Sequence, residues 1–213
     1  IQISQNSFLR KDITDTIHQH LMESELLEEK QYRYSDLPYY FLKDYIESYY
    51  DVPLDALIQQ RFYNAIGANM STYKPIEKFD TSQLVPTEKD TYFRFNTVHG
   101  YVHDMGAAMQ NGVGGHAGLF SNANDVAKLM QMYLQYGYYG GNQFLKSETI
   151  NAFNTCYFCD EDNRRGVGFD KPQLEDEGST CGCISMTSFG HSGFTGTYAW
   201  ADPEEEIIYV FLS

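Results

Sequence analysis

The chain has 213 residues, enough for one sizeable core or for two small ones sharing a cleft. Hydrophobic residues make up 42%, an ordinary globular fraction, and 18 Tyr and 14 Phe against one Trp suit aromatic packing at core edges and cleft walls. The formal net charge of -14 repels nucleic-acid phosphates and anionic membrane surfaces, and no apolar run is long enough for a transmembrane helix; nucleic acid and the membrane are therefore not expected as partners.

Residues 11–27 predict an amphipathic helix, with Ile13, Ile17, Leu21 and Leu26 near the helical period. The charged stretch Glu28-Glu29-Lys30 then leads to Tyr32. A second helix is expected from Leu37, with Pro38 in its first turn and Tyr40, Phe41, Tyr45 and Ile46 on one face. Asp51-Val52-Pro53 breaks it, and residues 54–63 resume as a helix ending near Gly67. Residues 69–104 carry Pro75, Pro86 and little periodicity, which predicts a long loop of the kind that serves a function. After the glycine-rich stretch 111–118, Ser121 is the expected N-cap of a helix through Met130 to Tyr136, and another helix covers 147–153.

Residues 160–180 have the composition of surface loops and strand edges. Residues 189–201 and 206–212 read as two strands joined by the turn Asp202-Pro203-Glu204-Glu205, a β-hairpin. Helices in the middle and antiparallel strands at the end predict an α/β (α+β) fold, an antiparallel sheet flanked by helices. The chain starts at Ile1 rather than Met, and it stops one residue after Ile207-Ile208-Tyr209-Val210-Phe211-Leu212, which reads as a buried strand. Both ends therefore suggest a piece of a larger protein.

Five local patterns bear on chemistry. Tyr34-Ser35-Asp36 precedes a helix; a tyrosine there can act as a general base if nearby cations lower its pKa from about 10, and a simple N-cap by Ser35 or Asp36 explains the tripeptide equally well. In His191-Ser192-Gly193-Phe194-Thr195-Gly196-Thr197, two close glycines permit near approach of a backbone or ligand, and strand N–H groups can stabilise an oxyanion; a bulge or tight corner is the alternative. His99 and His103 are four apart, but Gly100 between them denies the helix a metal pair needs. His116, among glycines, reads as a structural hydrogen-bonding residue.

Ser71-Thr72-Tyr73-Lys74 matches Ser-x-x-Lys, where a lysine one helical turn on activates a serine, but Pro75 follows at once and no helical pattern continues. The cysteines Cys156, Cys159, Cys181 and Cys183 could hold a zinc; their second pair is tightly spaced for a ribbon, and disulfides or free thiols fit at least as well.

Taken together, these segments resemble the serine β-lactamase/penicillin-binding-protein superfamily, in its class C β-lactamase and esterase-like branch. Tyr34-Ser35-Asp36-Leu37-Pro38 looks like the family's Tyr-x-Asn motif and the helix after it. Ile66-Gly67-Ala68-Asn69-Met70 looks like a Leu-Gly-Met ending. His116-Ala117-Gly118-Leu119-Phe120-Ser121 with Asp125-Val126-Ala127 looks like Gly-Gly-Leu-x-Ser…Asp-Leu-Ala, and His191-Ser192-Gly193 looks like Lys/His-Thr/Ser-Gly.

Val102-His103-Asp104 and Gly168-Phe169-Asp170-Lys171-Pro172 resemble one subgroup more closely. Its members are exported proteins, many from Bacteroidetes, in which this domain follows a family 3 glycoside hydrolase (β-N-acetylglucosaminidase-like) domain.

The resemblance implies a transpeptidase-like fold with a helical subdomain and a two-step acyl transfer through a serine. Tyr34 would shuttle protons, and His191 would polarise the site. Asp36, Ser192, Gly193, Phe194 and Thr195 would meet the substrate, with the N–H of Phe194 forming half of an oxyanion hole. The family's Ser-x-x-Lys lies well before the tyrosine motif, whereas Ser71 lies after Tyr34, so the nucleophile is expected outside this chain.

Asp36 departs from the family's Asn, because an ionised Asp only accepts hydrogen bonds. No metal or organic cofactor is implied. A small-molecule or peptidoglycan-like peptide substrate and an exported, cell-envelope location are implied. The competing reading is a non-catalytic binding module or degenerate paralogue in a cell-wall-processing protein.

Overall fold

The computed structural model describes residues 1–28, 32–161, 163–173, 178 and 180–213. Glu29 and Lys30 of the charged stretch, and residues 162, 174–177 and 179 within the expected surface loops, lie outside the described residues. The chain divides into two units, Ile1–Arg61 with Ser71–Phe120, and Phe62–Met70 with Ser121–Ser213.

In the first unit, β1 (Gln2–Ser4) pairs antiparallel with β2 (Ser7–Phe8). Helix α1 (Ile13–Glu23) is shorter than the periodicity of residues 11–27 suggests. Ser24 turns extended, and its hydroxyl donates to the carbonyl of Leu21 at 2.7 Å, ending the helix and leaving Leu26 92% exposed. Helix α2 (Leu37–Tyr50) starts at Leu37 with Pro38 in its first turn, as expected, and stops where Asp51 turns left-handed at φ 52°. Its inward face differs from the expected one. Tyr40 and Lys43 are buried, whereas Phe41 and Tyr45 are exposed. Lys43 reaches buried Gln110 with its Nζ at 3.5 Å, so the inward face combines the expected Tyr40 with a polar pair.

Helix α3 (Leu54–Ile58) continues into a π-helical turn at Gln59–Tyr63, and Gly67 beyond it has the left-handed φ of 70° expected of a terminator.

The expected loop 69–104 contains regular structure. A hairpin joins β3 (Pro86–Lys89) to β4 (Thr97–His99), and helix α4 (Met105–Met109) follows. Side chains bonded to backbone, rather than apolar periodicity, organise this region. Asp90 accepts from the N–H groups of Tyr92, Phe93 and Arg94, and the fully buried Arg94 guanidinium donates to Asp90 at 2.8 Å. Arg94 also donates to the carbonyl of Val102 at 2.6 Å and to that of His103, which pins the approach to α4. The apolar core beneath is small: Ile3, Val102, Ala107 and Ala108, with Phe93 and Phe120 packed against it.

In the second unit, helix α5 (Ala123–Leu134) is capped by Asn122, whose side chain accepts from the N–H of Asp125 at 2.8 Å, one residue later than the expected Ser121. Asp125 is 2% exposed, accepts from the N–H of Met70 at 2.7 Å and pairs with Lys128 at 2.8 Å, tying residues 67–70 to the helix. A short hairpin, β5 (Tyr138–Tyr139) with β6 (Asn142–Gln143), turns through Gly140 and Gly141, both at positive φ. Helix α6 (Ser147–Asn154) lies where the sequence placed it.

The end of the chain forms a three-stranded antiparallel sheet, β7 (Phe189–Ser192), β8 (Tyr198–Asp202) and β9 (Ile207–Phe211), in that order. The expected single strand over 189–201 is thus a hairpin in its own right, because a turn at 193–197 folds it back. Helix α5 packs on β8 and β9 over a core of Met130, Phe189 and Ala201 with Tyr133 and Ile208, each large side chain stabilising by about 1.5–3 kcal/mol. Strand β9 is not the buried strand its composition suggested. It lies at the edge of the sheet, and Ile207, Tyr209 and Phe211 alternate outward. Cys156–Cys159 and Cys181–Cys183 form two disulfides. No described helix is long and apolar enough to cross a membrane.

Candidate active site

Tyr34 stands immediately before α2 and is 59% exposed. Ser35 caps weakly, its Oγ accepting from the N–H of Leu37 at 3.3 Å, while Asp36 occupies the N-cap position without using its carboxylate as a cap. That carboxylate faces other groups. One oxygen each of Asp36 and Asp104 and one nitrogen of His116 lie within 4.8 Å of one another. These are metal-ligand residue types, and within the group His116 Nε2 and Asp104 hydrogen-bond each other at 2.8 Å.

Asp104 also caps α4, accepting from the N–H of Ala107 at 2.6 Å. Burial pushes the Asp104 carboxyl up, but the bonds from His116 and the Ala107 N–H outweigh it and hold the group below its usual value. The His116 ring stacks on Tyr40 with centroids 4.9 Å apart, and burial, together with the charges of Asp104 and Asp36, pushes the Tyr40 hydroxyl up to about 12.

Glycines make this assembly possible. A Cβ on Gly106 would fall 1.8 Å from the Tyr40 hydroxyl, and one on Gly115 would fall 2.3 Å from the carbonyl oxygen of Tyr39. Residues 114–116 thus lie against the start of α2 because no side chain intervenes. Asp104 pairs with His116 rather than with the adjacent His103, which turns to Glu88 at 2.9 Å. His99 Nε2 lies 2.8 Å from the carbonyl of Leu84.

In the second unit, His191 sits on β7. Its Nε2 is 2.9 Å from Nη1 of Arg165, and its Nδ1 is 2.6 Å from the carbonyl of Ser192. Arginine only donates, so Nε2 accepts and the ring proton resides on Nδ1, which donates to Ser192. Arg165 is brought there by its neighbours: Arg164 grips Asp170 with two bonds of 3.0 and 3.1 Å, and Asp170 bridges Gly190 through paired backbone bonds of 2.8 and 3.0 Å.

Beyond His191 the chain turns tightly. The N–H of Gly193 donates to Thr197 at 2.7 Å, and that of Gly196, at φ 86°, donates to Gly193 at 3.1 Å. A Cβ on Gly193 would sit 2.2 Å from Thr197 Oγ1, so the glycines serve the turn. Ser192, Gly193 and Phe194 are exposed, Phe194 at 85%, and the carbonyl of Thr195 accepts from Ser213 at 3.0 Å.

Ser71 is fully buried, and Lys74 is left-handed at φ 46° with its ammonium 2.8 Å from Asp55. No helical turn aligns the two side chains, so this pair lacks the geometry of an activated serine. Sequence reasoning passed over Arg165, which no local pattern marks; it named Asp104 within Val102-His103-Asp104 without giving it a role at the site.

The Beta-lactamase family model matches residues 10–213. The Escherichia coli (strain K12) protein named "Putative D-alanyl-D-alanine carboxypeptidase" is 35% identical over 193 residues, which is 84% of this chain and 44% of that protein. Its namesake in Salmonella typhi is 34% identical over 192 residues, again 84% of this chain and 44% of the relative. The chain therefore spans under half the length of these curated relatives.

Among solved structures, EstCE1, a hydrolase with promiscuous acyltransferase activity, superposes with a TM-score of 0.66 at 16% identity, covering 99% of this chain and 58% of that one. The octameric penicillin-binding protein homologue from Pyrococcus abyssi gives 0.60 at 18%, covering 96% and 44%.

Proposed function

Because the chain belongs to the Beta-lactamase family, we propose that its two units each contribute to serine acyl transfer, one through Tyr34 and the other through His191, with the nucleophile outside these residues. The observation that carries this reading is the start of α2, where Tyr34 is exposed and the Asp36 carboxylate is not spent on capping. The named function of the carboxypeptidase relatives and the burial of Ser71 support it.

A serine supplied by a Ser-x-x-Lys segment attacks a substrate carbonyl, and Tyr34 carries the proton between serine and leaving group. The acyl-enzyme is then hydrolysed by water. On the β7 edge, Arg165 supplies positive charge through His191, and the Phe194 amide is the candidate oxyanion donor. Asp36, as a carboxylate, accepts hydrogen bonds only, which favours substrates presenting an N–H near the scissile carbonyl over those presenting a second carbonyl there. Peptidoglycan-like peptides meet that requirement.

The two disulfides support an exported protein, since such bonds persist in oxidising compartments. Attachment to a β-N-acetylglucosaminidase-like domain is the matching architecture.

Activity-based labelling tests the reading. A fluorophosphonate or penicillin probe should leave this chain unmodified and label a serine upstream of it in the full-length protein. Mass-spectrometric detection of the probe on Ser71 would overturn the assignment.

A further inference from the structure

Two carboxylates, Asp36 and Asp104, lie with the His116 imidazole in a group of atoms within 4.8 Å. Like charges so close repel unless a donor stands with them. His116 is that donor, and it is held on three sides. Asp104 accepts its Nε2–H at 2.8 Å, the Tyr40 ring covers its face at 4.9 Å, and Gly114 lies so close that a Cβ there would be 2.9 Å from its Cε1.

The His116 side chain is 4% exposed, and its Nδ1 has no hydrogen-bond partner among the described residues. Asp104 is fixed in turn by the Ala107 N–H and by Arg94, which grips the carbonyls of the two residues before it. A line of contacts therefore runs from buried Arg94 through Asp104 and His116 to the start of α2, where the N-cap residue Asp36 precedes Tyr40 by four residues.

We propose that His116 is a positioning residue, clamped by Asp104 and stacked on Tyr40, that fixes the Asp36 carboxylate to accept a substrate N–H. The proposal rests on the acyl-transfer reading above and adds to it a residue outside the Tyr34 motif. His116 touches neither the substrate nor the nucleophile; it acts through Asp36.

The test uses the full-length protein with N-acetyl-D-alanyl-D-alanine and its analogue methylated on the acetamide nitrogen, which lacks the N–H on the acyl side of the scissile carbonyl. His116→Leu should lower kcat/KM for the first substrate about tenfold, the loss of one charge-assisted hydrogen bond, and leave the methylated analogue unchanged. His116→Gln, which retains an N–H for Asp104, should restore most of the loss. In an Asp36→Ala background, His116→Leu should cost nothing further. Equal losses on both substrates, or additive losses in the double variant, would show a role in folding alone and overturn the proposal. Failure of the acyl-transfer reading is seen separately, as acylation unchanged by Tyr34→Phe; a Tyr34 effect without His116 selectivity defeats only the positioning role.

Discussion

Arg165 donates from Nη1 to Nε2 of His191 across 2.9 Å, and this bond determines which ring nitrogen of His191 carries the proton. With Nε2 accepting, Nδ1 donates to the Ser192 carbonyl at 2.6 Å, so the imidazole is fixed at both ends. Arginine stands 26 residues from the histidine it orients, reached only because Arg164 and Asp170 bind that segment beside β7.

Arg165→Ala should therefore release the ring. In 15N NMR of the chain, the wild type is expected to show the Nδ1–H form, and the variant a mixture of both tautomers. Acylation of the full-length protein should fall about tenfold, the scale of one hydrogen bond to a charged group. An unchanged tautomer in the variant would dismiss Arg165 as the orienting residue.

Acid stability should depend on Asp90. Burial pushes its carboxyl up, but the Arg94 guanidinium and the three N–H groups of residues 92–94 prevail and hold it well below the usual carboxylate range. A depressed folded value means stability that is fully present above the unfolded pKa of about 3.9 and lost as pH falls through the lower folded value. Asp90→Asn should destabilise the protein by about 3 kcal/mol at pH 7 by stranding buried Arg94. The gap in Tm between wild type and variant should narrow as pH falls below about 4. A pH-independent gap would contradict the role given to this ion pair.

Lys171 gives the same sign in a higher pH window. The residue is 4% exposed, and its ammonium donates to Asn154 at 2.7 Å and to the carbonyls of Thr187 and Ser188 at 3.1 and 2.7 Å. Burial pulls its pKa down from 10.5 to about 8, with the charge of Asp202 pulling the other way. Between those values the folded state binds fewer protons than the unfolded state, so this group makes stability rise with pH over that window. Lys171→Met should cost about 3 kcal/mol at pH 7.5 by leaving buried acceptors unpaired, and the cost should grow toward pH 10 in urea unfolding. A cost that shrinks with rising pH would refute this.

Elements with a clear local signal were legible in the sequence. Pro38 marks the start of α2, the period over 147–153 marks α6, and the turn at 202–205 marks the hairpin between β8 and β9. Structure built from polar side chains bonded to backbone was not. The β3–β4 hairpin owes its loop to Asp90 and Arg94, and the cap of α5 to Asn122, neither of which alters apolar periodicity. The β7–β8 turn was hidden because Gly193 and Gly196 sit inside a strand-like composition. At the candidate site, the Tyr34 and His191 motifs could be named from local pattern. The pairings of His116 with Asp104 and of His191 with Arg165 span 12 and 26 residues, and only tertiary contact reveals them.

Stopped-flow acylation of the full-length protein by a chromogenic β-lactam or an activated ester bears most directly on the role of this chain. Tyr34→Phe removes only the hydroxyl that shuttles the proton, and acylation is expected to slow by about a hundredfold or more with the fold intact. A Tyr34→Phe protein that acylates at the wild-type rate would contradict the assignment of this chain to the proton-transfer wall of a serine acyl-transfer site.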